Sequence, residues 1–187
     1  MTGRSCLRYT ETLMTPAISP PQLASTSEWY VVQTRSRHEK SVREQLSSKQ
    51  IETFLPLYRS SKRWKNGQVG AQIPLFSGYL FVRIPAHSKL PVLQTPGVAR
   101  FLGFGNKPAP VPDEEIAQLE IAVTNGDVVC PHPFLTGGER IRIRTGPLAG
   151  LTGILVRGKK RDRVVLSVEL ISRSISIELD TMDVEAI

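Results

Sequence analysis

One stretch near the C-terminus leaves few folds open. From Gly138 the chain reads GERIRIRTGPLAGLTGILVRGKKRDRVVLSVEL, and a few residues later SISIELDTMDVE. Ile141 and Ile143 alternate with arginines. A corner with Gly146, Pro147, Gly150 and Gly153 follows. A second strand starts at Ile154, and a basic turn from Arg157 to Arg163 leads into a third. Val164, Leu166, Val168 and Leu170, and then Ile175, Ile177 and Leu179, keep a period of two with many β-branched residues, which suits strands and opposes helix. The pattern predicts a small, strongly bent β-barrel over residues 138–187 that stays β in every state.

At 187 residues, the chain has room for one large domain or two small ones. Its net charge of +7 favours polyanionic partners, or else serves solubility alone. The charge is concentrated. Residues 35–65 hold nine basic side chains against three acidic ones, whereas residues 138–187 hold nine against seven. Cys6 and Cys130 stand alone, which argues against a disulfide framework and fits a cytoplasmic protein. No apolar run approaches a membrane span, and the N-terminus lacks the apolar segment of a secretory signal.

Residues 1–27, rich in Ser, Thr and Pro, predict a disordered tail. Structure begins at WYVVQT, a strand from Trp29 to Thr34. Ser36 and Glu39 form a capping-box pattern for a helix reaching Lys49, with Val42 and Leu46 inward. Strands are expected at Ile51–Leu57, within Ile73–Ile84 and at Val98–Phe104, with a hairpin tip at Lys65-Asn66-Gly67. Ser88 is expected to cap a short helix to Gln94. Asp113, Glu114 and Glu115 suit the first turn of a last helix that buries Ile116, Leu119 and Val123 and ends at Gly126. This order predicts an α+β sandwich of ferredoxin-like type over residues 28–127, with helices on one face of an antiparallel sheet. Residues 128–137, with Pro131, Pro133 and Gly137, read as a linker to the barrel.

Four blocks in this order resemble the NusG family of transcription elongation factors: WYVVQT, PLFSGYLFVRI, PGVARFLGFGNKPAPVPDEEI and the C-terminal stretch, which resembles a KOW motif. Ser77 stands where the family's phenylalanine-proline-glycine-tyrosine block has proline. TRSRHEKSVREQL and FLPLYR look more like specialised RfaH-like or polysaccharide-operon paralogues than the housekeeping factor. The resemblance implies an N-terminal NGN domain and a five-stranded KOW barrel. It implies binding to the β-prime clamp helices of RNA polymerase, with effects on pausing, processivity, termination and antitermination. It also implies a monomer with no cofactor, and Rho or a small-subunit ribosomal protein as the barrel's partner.

Carried onto this chain, Leu55, Tyr58, Phe76, Tyr79 and Phe81 become the expected polymerase-binding residues, and core packing is the competing reading for each. Period two places Tyr79 and Phe81 on one face of their strand and Leu80 and Val82 on the other. Arg35, Arg37, His38, Lys40 and Arg43 are the expected contacts to non-template DNA, against a merely solvated face. Lys62, Arg63 and Lys65 around Trp64 suit base stacking or a plain exposed hairpin. Pro147 and Leu148, at the tip of GPLAG, are the expected partner site of the barrel. His38, His87 and His132 form no catalytic or metal-ligand pattern, so no enzyme is expected. The rival readings are a ribosome-associated KOW protein and an RNA-binding protein of the RRM type.

Overall fold

The computed structural model describes residues 26–59, 71–105, 107–125, 129–158, 161–179 and 184–187. The expected hairpin tip at Lys65-Asn66-Gly67, its neighbours Lys62, Arg63 and Trp64, the helix stop Gly126 and the tail to residue 25 lie outside the described residues.

The N-terminal unit runs β1 (Ser27–Thr34), α1 (Glu39–Ser48), β2 (Glu52–Phe54), β3 (Leu57–Arg59), β4 (Gln72–Pro74), β5 (Tyr79–Pro85), α2 (Leu90–Leu93), β6 (Val98–Phe101), β7 (Gly103–Phe104), β8 (Lys107–Pro108), β9 (Pro110–Val111) and α3 (Asp113–Asn125). Its main sheet has the order β2-β5-β1-β6, all antiparallel, and β9 adds to β1. β1 and β5 are central because WYVV and LFV are apolar on both faces, as a strand covered on two sides requires. Tyr30, Val32, Leu80, Val82 and Ile84 pack with Val42 and Leu46 of α1 and Val92 of α2. Trp29, Val31 and Phe81 point the other way, towards Ile116, Leu119 and Ala122 of α3. The helices therefore lie on both faces of the sheet and not on one. Ala122 takes the fully buried place expected of Val123, which is only partly buried.

Two long strands expected from the sequence are broken. Ile51–Leu57 divides into β2 and β3 at buried Leu55-Pro56, where the Pro56 carbonyl accepts from the Leu75 N–H. Val98–Phe104 divides into β6 and β7 at Leu102. The strand expected within Ile73–Ile84 is present as β5 and opens after Gly78, whose φ of 84° lies in the left-handed region. α1 starts at Glu39 with His38 as its N-cap, two residues later than the capping box implies, and no side chain caps it.

The C-terminal unit comprises β10 (Val129–His132), β11 (Glu139–Ile143), β12 (Thr152–Val156), β13 (Arg163–Val168), a 3-10 turn (Glu169–Ile171), β14 (Arg173–Glu178) and β15 (Val184–Ala186). They form one antiparallel sheet of order β10-β14-β13-β12-β11-β15. The expected linker contributes a strand to it. Val129 to His132 pair with Ile177 to Ser174, and the sheet has six strands where five were expected. Pro131 misled the reading; at the end of the sheet path its missing N–H is tolerated. Of the alternating positions predicted here, Ile141, Ile143, Val164, Leu166, Val168, Ile175, Ile177 and Leu179 are buried; Leu170 falls in the 3-10 turn after β13 and is only partly buried. Gly153 admits no side chain, since a Cβ there would stand 2.4 Å from Val164 Cγ1 and 2.7 Å from the Val165 carbonyl oxygen.

The two units share one hydrophobic cluster. It runs from Trp29, Val31, Phe76 and Phe81 through α3 to Leu148, Leu151, Val164, Ile175 and Ile177.

Candidate functional site

The expected docking aromatics divide by depth. Phe81 is fully buried and Phe76 is 2% exposed; both rings sit 5.9 Å from a neighbour, Phe81 against Phe54 and Phe76 against Phe81. Tyr58 and Tyr79 are half-buried and lie against the same cluster. Leu55 is not brought to them. It packs in the opposite layer, with Val42, Leu46 and Leu80. Tyr58 and Tyr79 are therefore the members of the set that reach solvent, while Phe76 and Phe81 support them from below.

The basic residues gather on the turn between β1 and α1 and on the first turns of α1. Arg35, Arg37, His38 and Lys40 are exposed and Arg43 is half-buried. Arg37 has φ 65°, a left-handed conformation uncommon for a non-glycine residue. That turn, and not one regular helical stripe, sets the direction of Arg37. Gly97 makes the turn possible: a Cβ on it would meet Val42 Cγ2 at 2.8 Å and His38 Cβ at 3.2 Å. Its carbonyl accepts from the Arg35 N–H at 2.8 Å. Lys40 Nζ donates to the Gln72 carbonyl at 2.9 Å. No ion pair among the described residues involves Arg35, Arg37, Lys40 or Arg43.

One residue joins the aromatic and basic regions. Glu39, at the start of α1, is 5% exposed, and its Oε1 accepts from the Gly78 N–H at 2.7 Å. Gly78 in turn accepts from the Thr34 N–H at 2.9 Å. The segment carrying Phe76 and Tyr79 is thereby tied to the start of the basic helix. The sequence signal for this was an isolated acid within a basic run, which the capping-box reading assigned elsewhere.

The corner that holds Pro147 and Leu148 is turned inward. Leu148 is 2% exposed and belongs to the shared cluster. The Pro147 carbonyl accepts from Asn125 Nδ2 at 2.9 Å. Gln118 of α3 accepts from the Thr152 N–H at 2.8 Å and donates to the Gly150 carbonyl at 3.3 Å. Gln118 thus pairs with the corner as a short strand would, satisfying a donor and an acceptor together. Sequence reasoning missed Gln118 and Asn125, which look like ordinary polar positions on a helix surface. The expected partner site is in this state occupied by the chain's own α3.

A pH effect follows at this junction. Burial raises the pKa of Glu115 above its ordinary 4.5, and the charge of Glu169 from the C-terminal unit raises it further. A state in which the two units part would lose the Glu169 contribution and hold the Glu115 proton less tightly. Between 4.5 and the raised value, docking takes up a proton, so acid favours it and rising pH weakens it. Glu115→Gln should flatten this dependence, read from the amide NMR shifts of Gly150 and Thr152 across pH 4 to 7.

Among the described residues, no group of three or more His, Cys, Asp or Glu could hold a metal ion, and no helix is long and apolar enough to cross a membrane. The arrangement presents a half-buried aromatic face, an exposed basic turn and a β unit clasped onto α3. These features define a two-unit protein of mixed helices and strands. A family model described as transcription termination factor nusG matches residues 27–120. The transcription termination/antitermination protein NusG of Campylobacter jejuni is 28% identical over 179 residues, covering 87% of this chain and 99% of the relative. Its counterpart in Pseudomonas aeruginosa is 28% identical over 173 residues, covering 85% and 98%. A solved structure described as domain interaction in Thermotoga maritima NusG aligns with TM-score 0.49 and 20% identity, over 86% of this chain and 97% of that one. The chain belongs to the NusG family, whose homologues act in transcription termination and antitermination.

Proposed function

We propose that this chain is a transcription elongation factor that docks on the β-prime clamp helices of RNA polymerase and changes pausing, processivity and termination. The observation that carries the reading is Gly78, fixed by Glu39 and Thr34, which places half-buried Tyr79 beside the basic turn within the family-matched segment. Tyr79 and Tyr58 would contact the clamp helices over a floor made by Phe76 and Phe81. Arg35, Arg37, His38, Lys40 and Arg43 would lie along exposed non-template DNA, arginines meeting phosphates and base edges and Lys40 supplying charge. A factor with higher affinity for the closed clamp shifts the polymerase towards that state by the difference in affinity. We read the N-terminal unit as a ferredoxin-like NGN domain and the six-stranded unit as a KOW barrel. The basic turn and FLPLYR favour a specialised, operon-directed paralogue acting as a monomer in the cytoplasm.

In the state described here the barrel is clasped to α3 by Gln118 and Asn125, beside the docking face. Undocking would expose Pro147 and Leu148 to Rho or a small-subunit ribosomal protein and leave α3 and the aromatic face open to the polymerase. One event would thus enable both engagements. Arg37→Ala with Arg43→Ala separates the nucleic-acid contact from the protein contact. The pair should weaken recruitment to an elongation complex with exposed non-template DNA about tenfold, corresponding to ~1.4 kcal/mol. Its binding to a clamp-helix fragment should be unchanged. Equal loss in both assays would remove the DNA assignment.

A further inference from the structure

The hairpin β7–β8 presents an aromatic ring to solvent on a rigid support. Phe104 is 80% exposed, the most exposed of the large hydrophobic side chains among the described residues. It pairs across the hairpin with Lys107, which is also exposed. The hairpin is tied down at its base. The Leu102 N–H donates to the Val31 carbonyl at 2.8 Å, and the Ala109 N–H to the Leu102 carbonyl at 3.1 Å. A Cβ on Gly103 would fall within 2.0 Å of the Lys107 carbonyl oxygen, so the strands cross too closely for any side chain there. A single exposed ring is ordinary on a protein surface and by itself names no occupant; what stands beside it does.

The surroundings specify its chemistry. A shallow depression beside the hairpin is lined by Leu93, Arg100, Phe101, Leu102, Lys107 and Pro108 among others, and by no acidic residue. Residues 94–112 contain Arg100 and Lys107 and no acid. Arg100 Nε donates to Gln33 Oε1 at 2.9 Å, which fixes the guanidinium on the edge strand β6. Gln33 is two residues from Arg35, about 7 Å along an extended chain. The other end of β6 begins at Gly97, which holds the Arg35 N–H. Cations therefore recur from the Arg35–Arg37 turn past Arg100, on the edge strand of the main sheet, to Lys107 on the separate β7–β8 hairpin, where the exposed aromatic stands.

We propose that this surface is a binding track for single-stranded nucleic acid, with Phe104 stacking on an unpaired base and Arg100 and Lys107 contacting the flanking phosphates. Stacking on an aromatic ring tolerates any base, and basic groups follow the backbone. The track extends the nucleic-acid reading of the α1 turn and rests on it for direction, but its residues are separate.

The test uses the intact protein and a fluorescein-labelled 12-mer of oligothymidylate at low ionic strength, read by anisotropy. Phe104→Ala should weaken binding about 5- to 150-fold, the range expected for one stacked base. Phe104→Tyr should restore it, and Lys107→Ala should weaken it and lower the salt dependence. Phe104 is exposed, so unchanged thermal unfolding is expected for all three. Loss with Phe104→Ala that Phe104→Tyr rescues supports the track whether or not Arg37→Ala with Arg43→Ala also weakens binding. Loss confined to the Arg37 and Arg43 variant would overturn the track and leave the α1 contact standing. A wild-type chain that does not bind the oligonucleotide, or a Phe104→Ala chain that loses only binding to the polymerase, would overturn it as well.

Discussion

Leu148→Asp is expected to open the protein and raise its affinity for the polymerase clamp helices. Leu148 is 2% exposed within the cluster that joins the two units. A carboxylate there has no described cationic partner, and an uncompensated buried charge is disfavoured by several kcal/mol. The chain escapes that penalty by undocking the corner and placing the carboxylate in water. If docking is favoured by about 2–3 kcal/mol, masking lowers apparent affinity ~30- to 150-fold, and opening recovers that factor. The same substitution could instead disturb the C-terminal sheet, so a second route to the open state matters. Gln118→Ala with Asn125→Ala removes three hydrogen bonds from the junction by changing side chains of α3 alone. At about 0.5–1.5 kcal/mol net for each bond, this pair should shift the same equilibrium in the same direction. Agreement between the two variants in a clamp-helix titration assigns the gain to undocking.

Phe81→Ala should act on stability before it acts on binding. The ring is fully buried and packs against Phe54 and Phe76. Truncating such a ring leaves a cavity and costs about 3–5 kcal/mol. For a unit of this size that lowers Tm by about 10 °C or more in a calorimetric scan. Tyr79 is half-buried, and Tyr79→Ala should cost only about 1 kcal/mol. The two residues share one face of β5, as period two predicted, yet they differ in role because Phe81 sits mid-strand under α3 and Tyr79 opens the strand. Loss of binding is informative about docking for Tyr79→Ala alone. A Tm for Phe81→Ala within 2 °C of wild type would show that its ring is not the floor of the site.

Periodicity made the apolar layers legible. Val42 and Leu46 of α1, Ile116 and Leu119 of α3, and every alternating position of β13 and β14 occupy the buried places expected of them. Those signals are local, and burial on one face is enough to write them. The misses needed information from a distant segment. α3 covers the face opposite α1 because WYVV is apolar on both sides, a fact visible in β1 but silent about which helix goes where. Val129–His132 reads as a linker through Pro131 and Pro133 and becomes a strand only because β14 offers an open edge. Glu39 has the spacing of a helix cap, yet the Gly78 amide, 39 residues away, offers a better donor. Leu148 looks like a loop tip until α3 arrives to cover it. In the candidate site, residue types were readable and depth was not. Nothing local distinguishes Tyr79 from Phe81, or places Leu55 in the other layer.

The most direct test of the account is a titration of the intact chain, and of its Gln118→Ala, Asn125→Ala variant, with the isolated β-prime clamp-helix fragment from the same organism. Saturable binding by the intact chain is expected. Binding should be tighter by about 30-fold in the opened variant, for ~2 kcal/mol of docking. Tyr79→Ala should abolish binding in both backgrounds. Absence of binding in both backgrounds, together with tight binding to free RNA, would contradict it and return the chain to the RNA-binding readings.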